Sequence, residues 1–188
     1  MDHGLFTMNS FSIKEFTPTI LFLLKFVGIY LVGNFLYGLY VTAYEPAPDP
    51  ATHWVTDQTA LVLTSCGWPT VVEDRPDKPT TKLNYDGRSI LAVFEGCNGI
   101  NVMIIFVAFL IAFGPLTKQL LWFIPVGLLI IHLMNLARIT LLFWVSIYMK
   151  DYMYFVHKYF FTAILYVIVF ILWVWWVRKF TTPKIAAT

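Results

Sequence analysis

Four stretches of the chain, approximately 18–43, 98–113, 120–147 and 158–177, read as apolar segments that cross a bilayer, which takes about 20 helical residues at about 1.5 Å each. Runs of this kind cannot all be buried in a water-soluble domain of 188 residues, 59% of them hydrophobic and 18% aromatic. They predict an all-α membrane fold, a four-helix transmembrane bundle. The first run carries only Lys25, near its start, where a long side chain can snorkel to the interface. The second stops at Gly114-Pro115, a helix-breaking pair followed by Lys118, and the last ends in Trp173, Trp175 and Trp176 with Arg178 and Lys179 beyond. With no internal repeat, 1–188 reads as a single membrane domain with an insertion at 44–97 between the first and second spans.

Charge placement orients the bundle. With both termini and the 114–119 turn on the cytoplasmic side, Lys14, Lys25, Lys118, Arg178, Lys179 and Lys184 share that side, as the positive-inside bias requires. The 44–97 insertion and the short 148–157 loop then face outward. In the insertion, Arg75, Lys78, Lys82 and Arg88 are outnumbered by Glu45, Asp49, Asp57, Glu73, Asp74, Asp77, Asp86 and Glu95. After the Pro46, Pro48, Pro50 cluster, 51–64 predicts an interfacial helix with Trp54, Ala60, Leu61 and Leu63 among polar residues. From Thr70 onward, TVV and SILAVF predict a β-hairpin, with EDRPDKPTTKLNYDG as the turn-rich stretch between them.

Three chemically useful side chains arrive at one membrane level. Arg138 follows Leu120, at the cytoplasmic start of its segment, by eighteen residues, about 27 Å of helix and close to the hydrocarbon thickness. Cys97 opens the second span directly after the insertion, and His157 opens the fourth after the loop YMKDYMYFV. A membrane arginine costs several kcal/mol unless it snorkels, pairs or lines a wet cavity, so Arg138 reads either as a functional cation or as one that snorkels outward. His132, Asn135 and Arg138 recur at three-residue steps and form one polar stripe expected to face the bundle. For His132 interhelical hydrogen bonding is the leading role, and Asn135 suits either helix pairing or the orientation of Arg138 or a substrate carbonyl.

Cys97 has two readings. A helix N-terminus and a nearby cation favour the thiolate, which would make it a nucleophile. Alternatively, Cys66, the only other cysteine, lies on the same side, and a Cys66–Cys97 disulfide would close the outer loop of a non-enzymatic scaffold that binds a partner helix. A thiol oxidoreductase ranks below both, because the chain has no CxxC. No HExxH, GxSxG, phosphate loop or nucleic-acid signature is present, and the four histidines show no metal-ligand spacing.

EGCNG at 95–99 opening a membrane helix, NLAR at 135–138 and His157 at the start of the last helix resemble the exosortase/archaeosortase family over roughly 90–170. The short length resembles most the compact exosortase F subtype of Gram-negative bacteria. Where many members carry a small residue between the cysteine and the glycine, this chain has Asn98. The resemblance implies a cofactor-free, metal-free Cys-Arg-His transpeptidase or protease of the cytoplasmic (inner) membrane, with its site facing the periplasm. Its substrates would be exported proteins whose C-terminal signal comprises a short motif, a membrane helix and a basic tail. The acceptor stays open, a lipid or a glycan being candidates, and no nucleic acid is involved. Residue by residue, Cys97 would be the nucleophile, His157 the acid/base and Arg138 the charge stabiliser, with Asn135, Asn98 and Gly99 orienting.

Overall fold

The computed structural model describes residues 13–114 and 117–181. Pro115, Lys184 and the two termini assigned above to the cytoplasmic side lie outside the described residues. The chain is mostly helical. Helix α1 (Ile13–Thr42) and helix α2 (Pro50–Ser65) precede three strands, β1 (Val71–Asp74), β2 (Thr80–Tyr85) and β3 (Arg88–Phe94). A 3-10 turn at Glu95–Cys97 leads into α3 (Ile100–Phe113), followed by α4 (Lys118–Tyr148), a 3-10 turn at Lys150–Tyr152, the short α5 (Met153–Phe155), a π turn at Val156–Phe160 and α6 (Phe161–Trp176).

Among the described residues, three stretches are long and apolar enough to cross a membrane: Phe16–Thr42, Lys118–Tyr148 and Lys150–Lys179. The expected second span falls short of that. Helix α3 has 14 residues, about 21 Å of rise against a hydrocarbon thickness of about 30 Å. It cannot extend backwards because Gly99 takes φ +87°, nor forwards because Gly114 is extended. The expected outer loop at 148–157 is also corrected. Residues 150–160 are a continuous series of 3-10, α and π turns, so His157 lies inside a helical stretch rather than at the end of a loop.

Two apolar clusters hold the fold together. At the end remote from the sheet, Phe106 and Leu110 of α3 meet Leu120, Phe123 and Ile131 of α4 and Val169, Leu172 and Trp176 of α6. Gly127 lets α4 approach the Phe106 ring so closely that a methyl group there would collide with it. Helix α1 packs along α3, where Gly33 meets Ile104 and Phe22 and Phe26 meet the Phe109 ring, itself stacked on Trp173 at 4.2 Å. Most of α1 remains open to the surroundings, as the exposed Leu24, Leu31, Val32, Phe35 and Leu36 show.

The second cluster joins α2, the sheet and α4, through Val55, Ala60, Leu63, Leu83, Val93, Cys97, Leu136, Ile139 and Phe143. The predicted helix at 51–64 forms, but its buried face is richer in threonine than the apolar pattern suggested. Thr52, Thr56 and Thr59 are fully buried, whereas Trp54 and Leu61 are exposed. Thr56 and Thr59 donate their hydroxyls to carbonyls four residues back, which leaves this face free of unpaired polar groups and able to pack.

The predicted hairpin is a three-stranded antiparallel sheet in the order β1-β2-β3. The additional strand, β2, lies within the stretch read as turn-rich. Asp86 at φ 51° and Gly87 at φ 70° supply the tight β2–β3 turn, and Thr81 and Leu83 alternate inward. Trp68 anchors the sheet to α4, with its ring 4.9 Å from that of Tyr85 and 6.2 Å from that of Phe143.

His53 of α2 ties the sheet down from the other side, 3.0 Å from Asp57 and 2.8 Å from Asp74 of β1. The hydrogen bond with Asp74 raises the His53 pKa above its ordinary 6.5, with the charges of Asp74 and Asp57 adding to the effect. A raised folded pKa contributes stability that is complete below the unfolded value and lost as pH rises through the folded one. Protection of β1 and β2 amides from hydrogen exchange is therefore expected to fall as pH rises above 6.5. Because the pair is well exposed, the effect should be about 0.5 kcal/mol, weakened by salt and absent in His53→Ala.

Candidate active site

Cys97, Asn135, Arg138 and His157 come together where the 95–99 turn, α4 and the π turn meet. Cys97 Sγ lies 3.2 Å from His157 Nε2. The π turn supplies this placement. Phe161 N–H bonds Val156 O, five residues back, and the wider turn changes the angular position of the side chains that follow. The Phe94 ring, 6.4 Å from the imidazole, folds over Gly96, where any side chain would collide with it.

Arg138 is 7% exposed. Its Nη1 donates a long 3.4 Å hydrogen bond to Asn135 Oδ1, its guanidinium reaches the Cys97 thiol, and its Nε is buried with no hydrogen-bond acceptor. Asn135, fully buried, donates from Nδ2 to the Cys97 carbonyl at 2.9 Å and so ties α4 to the turn that carries the thiol. The expected polar stripe divides here. Asn135 and Arg138 border Cys97, whereas His132 lies against α2, 2.6 Å from Gln58 Oε1 and stacked on Trp54 at 5.0 Å.

Both cysteines are free, Cys66 exposed and Cys97 buried, so the Cys66–Cys97 disulfide of the scaffold reading is not formed. Nor is the Cys97 thiol pKa lowered, as a helix N-terminus and a cation alone would imply. Burial pushes it up, and the Arg138 charge and a hydrogen bond with the Phe94 backbone oppose that rise without cancelling it. The reason is position: Cys97 closes a 3-10 turn three residues before α3 begins, in an apolar setting. A thiol whose pKa is raised by burial thus lies within hydrogen-bond distance of an imidazole nitrogen, the arrangement in which a neighbouring base activates the nucleophile.

Asn98 explains why a larger residue is tolerated between Cys97 and Gly99. Its Oδ1 accepts from Ile100 N–H at 3.0 Å and starts α3. Its Nδ2 donates to Tyr37 Oη at 2.7 Å and to Thr52 Oγ1 at 3.0 Å. Thr52 Oγ1 in turn donates to Asp49 Oδ2 at 2.6 Å, and the other Asp49 oxygen caps α2 through Ala51 and Thr52 N–H. Tyr37, Asp49 and Thr52 were missed as supports of the site. Of these, only the Asp49-Pro50 start of α2 carries a local signal, that of a helix cap.

Gly99 is required twice, by its positive φ and by Asn135, whose Cγ would lie 3.1 Å from an added Cβ. Gly99→Ala is expected to destabilise the protein by about 1–2 kcal/mol from the left-handed backbone alone. Displacing Asn135 would also loosen the Cys97 carbonyl. Thermal unfolding in detergent checks the first effect and the rate of Cys97 alkylation the second.

Residues 17–176 match the family model described as transmembrane exosortase (Exosortase_EpsH). Comparison with curated proteins and with solved structures returned no significant match. That match takes in α1, α2, the sheet, α3, α4 and α6, and with them every residue that borders the Cys97 thiol. The chain belongs to the transmembrane exosortase family, multi-pass membrane proteins of the cysteine peptidase and transpeptidase type that process exported proteins.

Proposed function

We propose that the protein cleaves a C-terminal sorting signal at the outer face of the inner membrane and passes the upstream product, through a thioester on Cys97, to an acceptor. The observation that carries this reading is the 3.2 Å approach of Cys97 Sγ to His157 Nε2 with the Arg138 guanidinium alongside. The Cys97 proton moves to His157 Nε2 as Sγ bonds to the scissile carbonyl carbon. Arg138 donates to the oxyanion that develops. The C–N bond then breaks, His157 returns its proton to the leaving amine, and the acyl group remains on sulfur. An acceptor amine or hydroxyl attacks the thioester, losing its proton to His157; the C–S bond breaks and His157 passes that proton to the departing sulfur, restoring the Cys97 thiol, and water in the same position gives hydrolysis.

In this reading α1, α3, α4 and α6 form one bundle that crosses the membrane, residues 1–188 make a single domain, and the 44–97 insertion covers the outer end. Both termini face the cytoplasm, where the excess of lysine and arginine lies.

The test is capture of the thioester. A reporter ending in a short motif, one hydrophobic helix and a basic cluster is co-expressed with the protein, and membranes are analysed without reductant. The expected product is a Cys97-linked species carrying the upstream part of the reporter, released by neutral hydroxylamine. Processing without any hydroxylamine-labile species on Cys97 would exclude the thioester route.

A further inference from the structure

Resting on the function proposed above, we infer that the substrate peptide reaches Cys97 sideways from the bilayer, through a cleft between α4 and α6, and not from the outer aqueous side. The cleft, about 90 Å³, is lined by Met134, Ala137 and Leu141 of α4 and Phe161, Ile164 and Leu165 of α6, with Arg138 as its polar residue. Ala137 and Leu141 are exposed on a helix long and apolar enough to cross the membrane, so the mouth of the cleft opens on the lipid-facing side of the bundle, near the outer limit of the hydrocarbon. At its floor sits a cation 7% exposed whose Nε has no acceptor.

On the side of α2 and the sheet, Cys97 is covered. Cys97 is 4% exposed and packs in one apolar cluster with Val55 and Leu63 of α2 and Leu83 and Val93 of the sheet. The α2 element is fastened to the Cys97 turn by the Asn98–Thr52 hydrogen bond and to α4 by the His132–Gln58 contact. A peptide arriving from the aqueous side would have to break this roof.

The occupant follows from the lining. A buried donor without an acceptor is costly, and apolar walls exclude a free anion that carries its water with it. What satisfies both is a backbone carbonyl carried on an apolar segment, as found where an extended peptide joins the first turn of a membrane helix. A lipid ester carbonyl offers the same acceptor chemistry and is the competing occupant. The peptide is favoured because Arg138 also borders the Cys97 thiol, so a carbonyl bound there is presented for attack.

Accessibility can be read without any substrate. Protein reconstituted into phosphatidylcholine vesicles is treated with N-cyclohexylmaleimide, which partitions into hydrocarbon, or with a sulfonated maleimide confined to water. Modification of Cys97 and of the exposed Cys66 is followed by peptide mass. After normalisation to Cys66, the apolar reagent should modify Cys97 faster by about tenfold or more, since a charged group is costly to carry into the bilayer. Ala137→Trp and Ile164→Trp, which fill the cleft, should slow that reaction severalfold, while Val167→Trp on the outside of α6 should not. Unchanged Cys66 labelling and melting temperature would show that the variants are folded. Equal normalised rates for the two reagents, no reaction at Cys97, or indifference to both plugs would overturn lateral access.

Occupancy is then tested with a reporter that wild type processes, so a failure of the functional reading is recognised separately. A benzophenone residue at position 133, exposed on α4 about one turn below Ala137 and outside the cleft lining, in the Cys97→Ala background should crosslink to the hydrophobic helix of the reporter. Crosslinking to lipid alone would overturn the assignment of the occupant.

Discussion

Cys97→Ser is expected to reduce processing of a C-terminal signal on the order of 10³-fold or more, to the level left by binding and Arg138 alone. The two side chains differ by one atom, which makes the substitution informative. The shorter Cβ–O bond draws the nucleophile back from His157 Nε2, which the native sulfur meets at 3.2 Å. The hydroxyl is also a far weaker acid than the thiol, so the same imidazole must take its proton against a larger gradient. Any acyl product would be an ester and would resist the mild hydroxylamine treatment that releases a thioester. Cys66→Ser is the matched control. Cys66 is free and exposed at the end of α2, outside the Cys97, Arg138 and His157 group, so processing should be unchanged. Quantitation of precursor and product on denaturing gels checks both; robust processing by Cys97→Ser would remove the thiol from the mechanism.

How much of this could be read from residue order alone depended on whether the controlling forces were local. Counting helical rise from Leu120 put Arg138 at the depth of Cys97 and His157, because rise per residue is a backbone property that packing hardly alters. Hydrophobic length found α1, α4 and α6 for the same reason. Periodicity failed where the partner was remote. Strand β2 lies between Pro79 and the Asp86-Gly87 turn and looks like loop, yet Thr81 and Leu83 are buried once β1 and β3 flank them. The threonine face of α2 looks polar until its hydroxyls bond their own helix, and Asn98 looks like a departure until Tyr37, 61 positions away, accepts its hydrogen bond. The shift in the thiol pKa was misjudged for a related reason. A helix end and a cation can be counted in a sequence, but the apolar cluster that buries Cys97 is contributed by α2, the sheet and α4.

Arg138→Met is expected to cost about 10²–10³-fold in processing, the range for removing one donor to a developing oxyanion, while leaving the fold as stable or more so. The stability half follows from the site. Arg138 is a buried cation with one long hydrogen bond to Asn135 and an unpaired Nε, and an apolar side chain of similar length should take over its place in the cleft wall without a desolvation penalty. Arg138→Lys should recover little, because an ammonium lacks the planar fork that reaches Asn135 and the thiol together. The Arg138 charge also holds down the Cys97 pKa, so its loss should push the thiol further up and slow alkylation by a small neutral maleimide near neutral pH. The two readouts divide the work of the residue. If Arg138 only holds the thiolate, alkylation and processing fall by the same factor in Arg138→Met. If it also binds the oxyanion, processing falls further, and the excess measures the stabilisation that appears only in the transition state. A melting temperature well below wild type would instead identify Arg138 as a structural cation, and the proposed oxyanion role would fail with it.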